Sequence, residues 1–245
     1  MHKKESYKKY FFCFFTRNGG VSRNGFSSLN CSYQEGDSDD NVKQNRKIAA
    51  KLFQKNNMML LNQFHSNKII KINNHTNKVL RADAMISNRK DLLLGILTAD
   101  CAPIVILGKR YFGITHAGWR GAINGIIENS IAKFLNEGER IEDLKVVVGP
   151  HLKKRSFEVK VDFIKNLKKN VGNFEEFITK KMNKKFFDFS QFIECKLQKL
   201  AISNYVISKE DTFSNPKKFF SHRYCTINEI KNCGRQISLV CIKNN

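Results

Sequence analysis

The chain has 245 residues, and its 43 Lys and Arg against 22 Asp and Glu give a formal charge of +21. That length suffices to bury a full hydrophobic core, while 14 Gly and 3 Pro exclude a collagen-like or Pro/Gly-rich disordered chain. The charge invites nucleic acid or a membrane surface, but 32 of the 43 basic residues are Lys, scattered from Lys3 to Lys243 in short pairs such as Lys153-Lys154, which describes a solvated surface. In chain order, Tyr10–Phe15 predicts a buried strand, and the Gly-, Ser- and Asn-rich residues 16–30 a long loop. Residues 38–54 predict a helix with Val42, Ile48, Ala49 and Leu52 on one face and Ser38 or Asp39 as its N-cap. Met58–Leu61 and Lys68–Ile72 suggest a strand pair. Ala84–Ser87, Leu92–Thr98, Ile104–Leu107 and Tyr111–Thr115 follow as nearly continuous apolar runs, the pattern of strands covered on both faces.

Gly121–Leu135 predicts one amphipathic helix, with Ile123, Ile126, Ile127, Ile131 and Phe134 on its apolar side. Val146–Val148 is a strand closed by Gly149-Pro150; residues 160–201 read as mostly helical, interrupted at Phe186–Phe189; Tyr205–Ser208 and Ile237–Ile242 are late strands. No linker and no internal repeat divides the chain. The expectation is an α+β fold over residues 1–245, a single-domain α-β sandwich with mixed sheets flanked by helices. No helix-turn-helix, zinc-finger spacing or RNA-binding aromatic box stands out, so no specific nucleic-acid partner is expected. No stretch approaches ~18 uninterrupted apolar residues, and the run after Met1-His2-Lys3-Lys4 is too short for a signal-peptide core. Seven cysteines without a C-x-x-C pair suit free thiols in a reducing cytoplasm.

Three residues sit in unusual local contexts, and two of them, Cys101 and His116, fall where apolar strands break. Cys101 lies in Thr98-Ala99-Asp100-Cys101-Ala102-Pro103, His116 in Thr115-His116-Ala117-Gly118-Trp119-Arg120-Gly121, and His65 in Asn62-Gln63-Phe64-His65-Ser66. Two chemistries suit such a set: a zinc site with an open fourth position, or a Cys–His nucleophilic pair. The spacings, 36 residues from His65 to Cys101 and 15 from Cys101 to His116, do not choose between them. Arg17 in a Gly-rich loop and Arg120 at a helix start suit an anion. Asp37, Asp83 and Asp100 lie near turns, where capping is the ordinary role; Asp100 could also orient a ligand or carry a proton.

These segments resemble the laccase-domain family, also labelled multicopper polyphenol oxidase-like, whose members act as purine nucleoside phosphorylases and some of which are called peptidoglycan editing factors. The resemblance rests on TRNGGVS at 16–22, FSSLN at 26–30, NQFHS at 62–66, ADAMIS at 82–87, TADCAPIVI at 98–106 and THAGWRGAINGI at 115–126. VGPHL at 148–152, FEV at 157–159, FFSHR at 219–223 and GRQISLV at 234–240 complete it in family order. It implies a cytoplasmic protein with zinc on His65, Cys101 and His116. It further implies phosphorolysis of adenosine, inosine and methylthioadenosine, plus adenosine deamination. The expected catalytic set is Cys101, His116, Arg17 and Asp100. The expected contacts to purine nucleoside and phosphate are Arg17, Arg120, Asn30, Gln63 and Arg223. Copper ranks second to zinc, because six His cannot furnish a multicopper array.

Some positions depart from the family pattern. Asp211-Thr212 stands where members commonly carry Cys before Thr, and Ser221-His222-Arg223-Tyr224 lacks a second Arg. Asp100, His151 and His222 are the candidates to protonate the leaving base. The competing functions are a peptidoglycan-precursor editing hydrolase, a metal-free Cys–His hydrolase and a basic nucleic-acid-binding module.

Overall fold

The computed structural model describes residues 5–243. Met1–Lys4, the basic start of the segment too short for a signal-peptide core, lie outside the described residues. In chain order the elements begin β1 (Glu5–Tyr7), β2 (Tyr10–Phe14), α1 (Asp39–Lys51), β3 (Asn57–Asn62), β4 (Ile69–Lys71), β5 (Leu80–Arg81), β6 (Ala84–Ser87), β7 (Leu92–Thr98), β8 (Ala102–Leu107) and β9 (Phe112–Ala117). They continue as α2 (Trp119–Ile123), α3 (Ile126–Asn136), β10 (Lys145–Val148), β11 (Glu158–Val159), α4 (Val161–Asn170), β12 (Ile178–Lys181) and β13 (Lys184–Phe187). The last are α5 (Phe189–Lys199), β14 (Tyr205–Ile207), α6 (His222–Ile227) and β15 (Gln236–Ile242).

Two six-stranded sheets, ordered β1-β2-β15-β7-β3-β5 and β14-β10-β8-β9-β6-β4, carry the fold, with a small sheet β11-β13-β12 beside them. Both large sheets are mixed: β3 runs parallel to β7, and β4 parallel to β6, among antiparallel neighbours. Alternation along the strands sorts the apolar side chains into layers. Tyr10, Phe12, Leu92, Leu94, Ile96 and Val240 of the first sheet meet Met85, Val105, Phe112 and Ile114 of the second in one core. The opposite face of the first sheet, including Leu93, Leu239 and Cys241, packs on Ala49 and Phe53 at α1. The opposite face of the second sheet, including Ile104, Ile106 and Val146, packs on α2, α3 and α5. The layers are thus helix, sheet, sheet, helix, which is the expected α+β sandwich. Burial on both faces explains the near-continuous apolar runs of β7 and β8.

Four local expectations are corrected. Met58–Leu61 and Lys68–Ile72 do not pair with each other; β3 joins the first sheet beside β7 and β4 the second beside β6. Helix 121–135 is broken into α2 and α3 at Gly125, whose φ of +92° ends one helix before the next starts. Residues 178–187 form the hairpin β12–β13 where helix was expected, turning at Met182 and Asn183, both at positive φ. Leu52 lies just past α1 and is 37% exposed, so it leaves the helix's apolar face.

All seven cysteines are free thiols. Among the described residues, no helix is long and apolar enough to cross a membrane.

Candidate metal centre

β8 and β9 are antiparallel neighbours in the register Ala102↔Ala117 and Pro103↔His116. Cys101, just before β8, and His116, near the end of β9, therefore sit side by side at one end of the second sheet. His65 comes from the other sheet, on the loop after β3, with its backbone held in the left-handed region at φ +60°. One ligand atom from each of the three lies within 4.8 Å of the others. Cys101 Sγ is 3.7 Å from His65 Nε2, and the two imidazole rings meet edge to face at 4.9 Å.

Asp83, fully buried just before β6, builds this geometry. Its Oδ1 accepts from the His65 backbone N–H at 3.0 Å and faces His116 Nδ1 at 2.8 Å. Its Oδ2 accepts from the backbone N–H of Phe64 at 3.3 Å, from that of Ser66 at 2.7 Å, and from Ser66 Oγ at 2.6 Å. One carboxylate thus fixes the His65 loop and occupies Nδ1 of His116, which leaves Nε2 as the nitrogen available to a metal. Turn capping, the role expected of Asp83, covers only part of this.

Gly118 closes the cradle. A Cβ there would stand 2.5 Å from His65 Cδ2 and 3.2 Å from Cys101 Sγ, so only glycine admits both ligands at this spacing. The electrostatics favour a ligand set. Burial works to raise the Cys101 thiol, but His116 and His65 bring it down to about 6. Burial works to lower His116, but the Cys101 sulfur and the Asp83 carboxylate raise it to about 9. Burial likewise opposes the charge of Asp83, yet hydrogen bonds from His116 and Ser66 hold it at about 2. Thiolate and imidazole with an open position form a donor set that fits zinc.

The three donors line a cavity of about 680 Å³ shared with Gln63, Thr98, Asp100 and Trp119. Arg46, Arg120, Arg223, Arg235 and His222 also line it, whereas Glu35 and Asp100 are its carboxylates. Arg120 lies over the Trp119 ring at 4.2 Å and has no carboxylate partner among the described residues. Arg223 Nη1 donates to the carbonyls of Glu158 at 2.9 Å and Ser156 at 3.4 Å. Asp100, in the left-handed region at φ +87°, ties α6 to the site: its carboxylate accepts from the Arg223 backbone N–H and from Thr212 Oγ1, each at 2.6 Å. Burial raises the Asp100 carboxyl above its ordinary range despite those bonds. Gln63 lines the cavity while its amide clamps Leu97, accepting from its N–H and donating to its carbonyl, both at 2.8 Å.

Two of the expected contacts lie outside this lining. The Arg17 guanidinium is occupied by the carbonyls of Ser27 at 2.7 Å, Pro216 at 2.8 Å and Gly25 at 3.4 Å, and stacks on Phe220 at 4.5 Å. It pins its own loop, which is why a Gly-rich segment needed it. Asn30 is fully buried, donates to Ser32 O and Asp37 Oδ2, and accepts from the N–H groups of Ser32 and Arg235. His151 is also elsewhere: buried, it faces Gly149 O at 2.8 Å and Ser190 Oγ at 3.0 Å, and its ring meets Phe189 edge-on. His222 does line the cavity. Sequence reasoning missed Arg46, Arg235 and the Thr98 hydroxyl, which is buried at the cavity wall with no hydrogen-bond partner among the described residues. Thr98 carried a signal, as a polar residue ending an otherwise apolar strand; Arg46 carried none beyond its place on α1.

The sequence pattern of the Multi-copper polyphenol oxidoreductase laccase family matches residues 11–243. The chain belongs to this family. A relative from Rickettsia conorii named purine nucleoside phosphorylase is 33% identical over 186 residues, 74% of this chain and 77% of the relative. The Escherichia coli purine nucleoside phosphorylase YfiH is 34% identical over 153 residues, 60% of each protein. Among solved structures, a Neisseria meningitidis protein superposes with a TM-score of 0.89 at 23% identity, covering 99% of both chains. Bacillus licheniformis YfiH gives 0.88 at 24% identity, covering 96% of this chain and 93% of that one. Both structures share the fold found here. The family's multi-copper name meets a single His-Cys-His group among the described residues, three donors where several copper ions would need many more.

Proposed function

We propose that the chain is a zinc-dependent purine nucleoside phosphorylase acting on adenosine, inosine and S-methyl-5′-thioadenosine, with adenosine deaminase as a side activity. In the main reaction phosphate displaces the purine and leaves the corresponding ribose 1-phosphate. The observation that carries this is the His65–Cys101–His116 group opening onto a cavity whose arginines outnumber its carboxylates. The names of the bacterial relatives point the same way.

His65, Cys101 and His116 would hold the zinc, with copper a poorer second for a lone three-donor site. Bound zinc supplies Lewis-acid polarisation and charge stabilisation at the reacting centre. Asp83 keeps His116 in the tautomer that leaves Nε2 free. Arg120 and Arg223 take the phosphate, presenting planar charged forks at the cavity wall. Arg17 is not assigned to it, since three carbonyls occupy its guanidinium. Asp100 is the proton carrier: burial raises its carboxyl above the ordinary range, which favours a proton there for delivery to the departing base. Gln63 and the unpartnered Thr98 hydroxyl are left to position the sugar. Residues 1–245 act as one domain, in a cytoplasm whose reducing conditions keep the thiols free.

The test is adenosine turnover with and without phosphate, wild type beside His65→Ala. Adenine and ribose 1-phosphate should form only with phosphate, and His65→Ala should lose about a hundredfold or more, the scale of a removed Lewis acid. Inosine formed without phosphate measures the deaminase. Adenine release that ignores phosphate, or that survives in His65→Ala, refutes the assignment.

A further inference from the structure

The cavity has a second cationic wall that the phosphorylase reaction does not use. Arg46 stands on α1, donates from Nε to the Cys31 carbonyl at 2.8 Å, and lies over the Tyr33 ring at 4.2 Å. Among the described residues, no carboxylate pairs with it and no acceptor meets its two terminal amino groups. Arg235 lines the same cavity from just before β15, held by Glu35 at 2.9 Å and by the carbonyls of Cys233 and Gly234. This wall comes from α1, the 30–35 loop and the start of β15. Arg120 and Arg223, assigned above to phosphate, come from α2 and α6. The two cationic walls share no element.

Holding an unpaired guanidinium partly out of water is unfavourable, and burial pulls Arg46 below its ordinary pKa. An anion taking its free fork offsets that cost. A cavity of about 680 Å³ lies within the range that encloses drug-sized ligands, room for more than one anionic group. We infer that Arg46, backed by Arg235 and stacked on Tyr33, is a second anion subsite, and that the cavity binds purine nucleoside 5′-monophosphates with their phosphate ester on this wall. The inference rests on the proposed nucleoside specificity only for the neutral part of the ligand. Free phosphate and the phosphate ester are then recognised by different arginines.

The experiment is calorimetric titration of the metal-loaded full chain in phosphate-free buffer, where inosine undergoes neither phosphorolysis nor deamination. The ligands are inosine, inosine 5′-monophosphate and pyrophosphate. The proteins are wild type, Arg46→Ala, Arg46→Lys and Arg120→Ala. The monophosphate should bind wild type about tenfold tighter than inosine, the scale of a charge-assisted hydrogen-bonded pair. That ratio should fall to about one in Arg46→Ala, recover in part in Arg46→Lys, and persist in Arg120→Ala. A ratio of one in wild type, or an unchanged ratio in Arg46→Ala, overturns the subsite. If neither inosine compound binds, the nucleoside specificity fails and pyrophosphate decides the subsite. Pyrophosphate affinity lost in Arg46→Ala upholds it, and affinity unaffected there overturns it.

Discussion

Asp83→Asn is the sharpest perturbation of the centre. The wild-type carboxylate receives the backbone N–H groups of Phe64, His65 and Ser66, the Ser66 hydroxyl, and His116 Nδ1. Asparagine keeps one oxygen and turns the other position into a donor. In either amide orientation, at least two of those donors face an NH₂ group. Each buried donor left unmet costs about 1–3 kcal/mol, so a loss near ~3 kcal/mol is expected. For a chain of this size that is a fall of roughly 6–12 °C in Tm. Metal affinity should drop about 10–100-fold, or ~1.4–2.7 kcal/mol, because His116 loses its orienting partner. The assay is competition for zinc with a chromogenic chelator at pH 7.5, beside thermal melts of the metal-free protein. Ser66→Ala is the control: it removes one donor and should leave zinc affinity within about threefold of wild type. Wild-type zinc affinity in Asp83→Asn, with only the melt lowered, would refute the role of Asp83 in presenting the ligands.

Further outcomes are expected. Gly118→Ala should lower zinc stoichiometry by elemental analysis while far-UV circular dichroism stays unchanged, because its Cβ meets His65 and Cys101 rather than the core. Between about pH 6 and 9 the metal-free site pairs the Cys101 thiolate with the His116 imidazolium, so zinc binding should release about one proton, measured by calorimetry in buffers of different ionisation enthalpy. Burial and the neighbouring Lys153 push His151 down to about 3. The unfolded chain protonates this His near 6.5 and the folded chain does not until about 3. Stability from this group is therefore full above pH 6.5 and is lost as pH falls through that window, by about 1.4 kcal/mol per pH unit. Urea unfolding at pH 5 and pH 7 should show this slope in wild type and a shallower one in His151→Gln; parallel slopes would count against a buried neutral His151.

The strands of the two central sheets were legible because burial on both faces leaves a continuous apolar run, as in Leu92–Leu94 and Ile104–Leu107. Strand partners were not. Met58–Leu61 and Lys68–Ile72 are neighbours in sequence, yet each finds its parallel partner in a different sheet. Nothing local encodes that choice, which depends on how the sandwich closes. The hairpin at 178–187 was missed because Lys180, Lys181, Lys184 and Lys185 mask the alternation, and its turn puts Met182 at a positive φ that few residues other than Gly, Asn or Asp favour.

By itself the sequence marked Cys101 and His116 at strand breaks, and its resemblance to a known family implied His65 as the third donor. The cations at the cavity are the rarer Arg: Arg46, Arg120, Arg223 and Arg235 line it, and no Lys does so among the described residues. Only the tertiary structure decided which Arg those were. It placed Arg17 and Asn30 outside the cavity lining, their polar atoms satisfied by nearby backbone and by Asp37. It brought His65 to Cys101 and His116 across 36 and then 15 residues, since that meeting requires the register of β8 with β9, a loop from the opposite sheet, and the buried Asp83 carboxylate that binds them together.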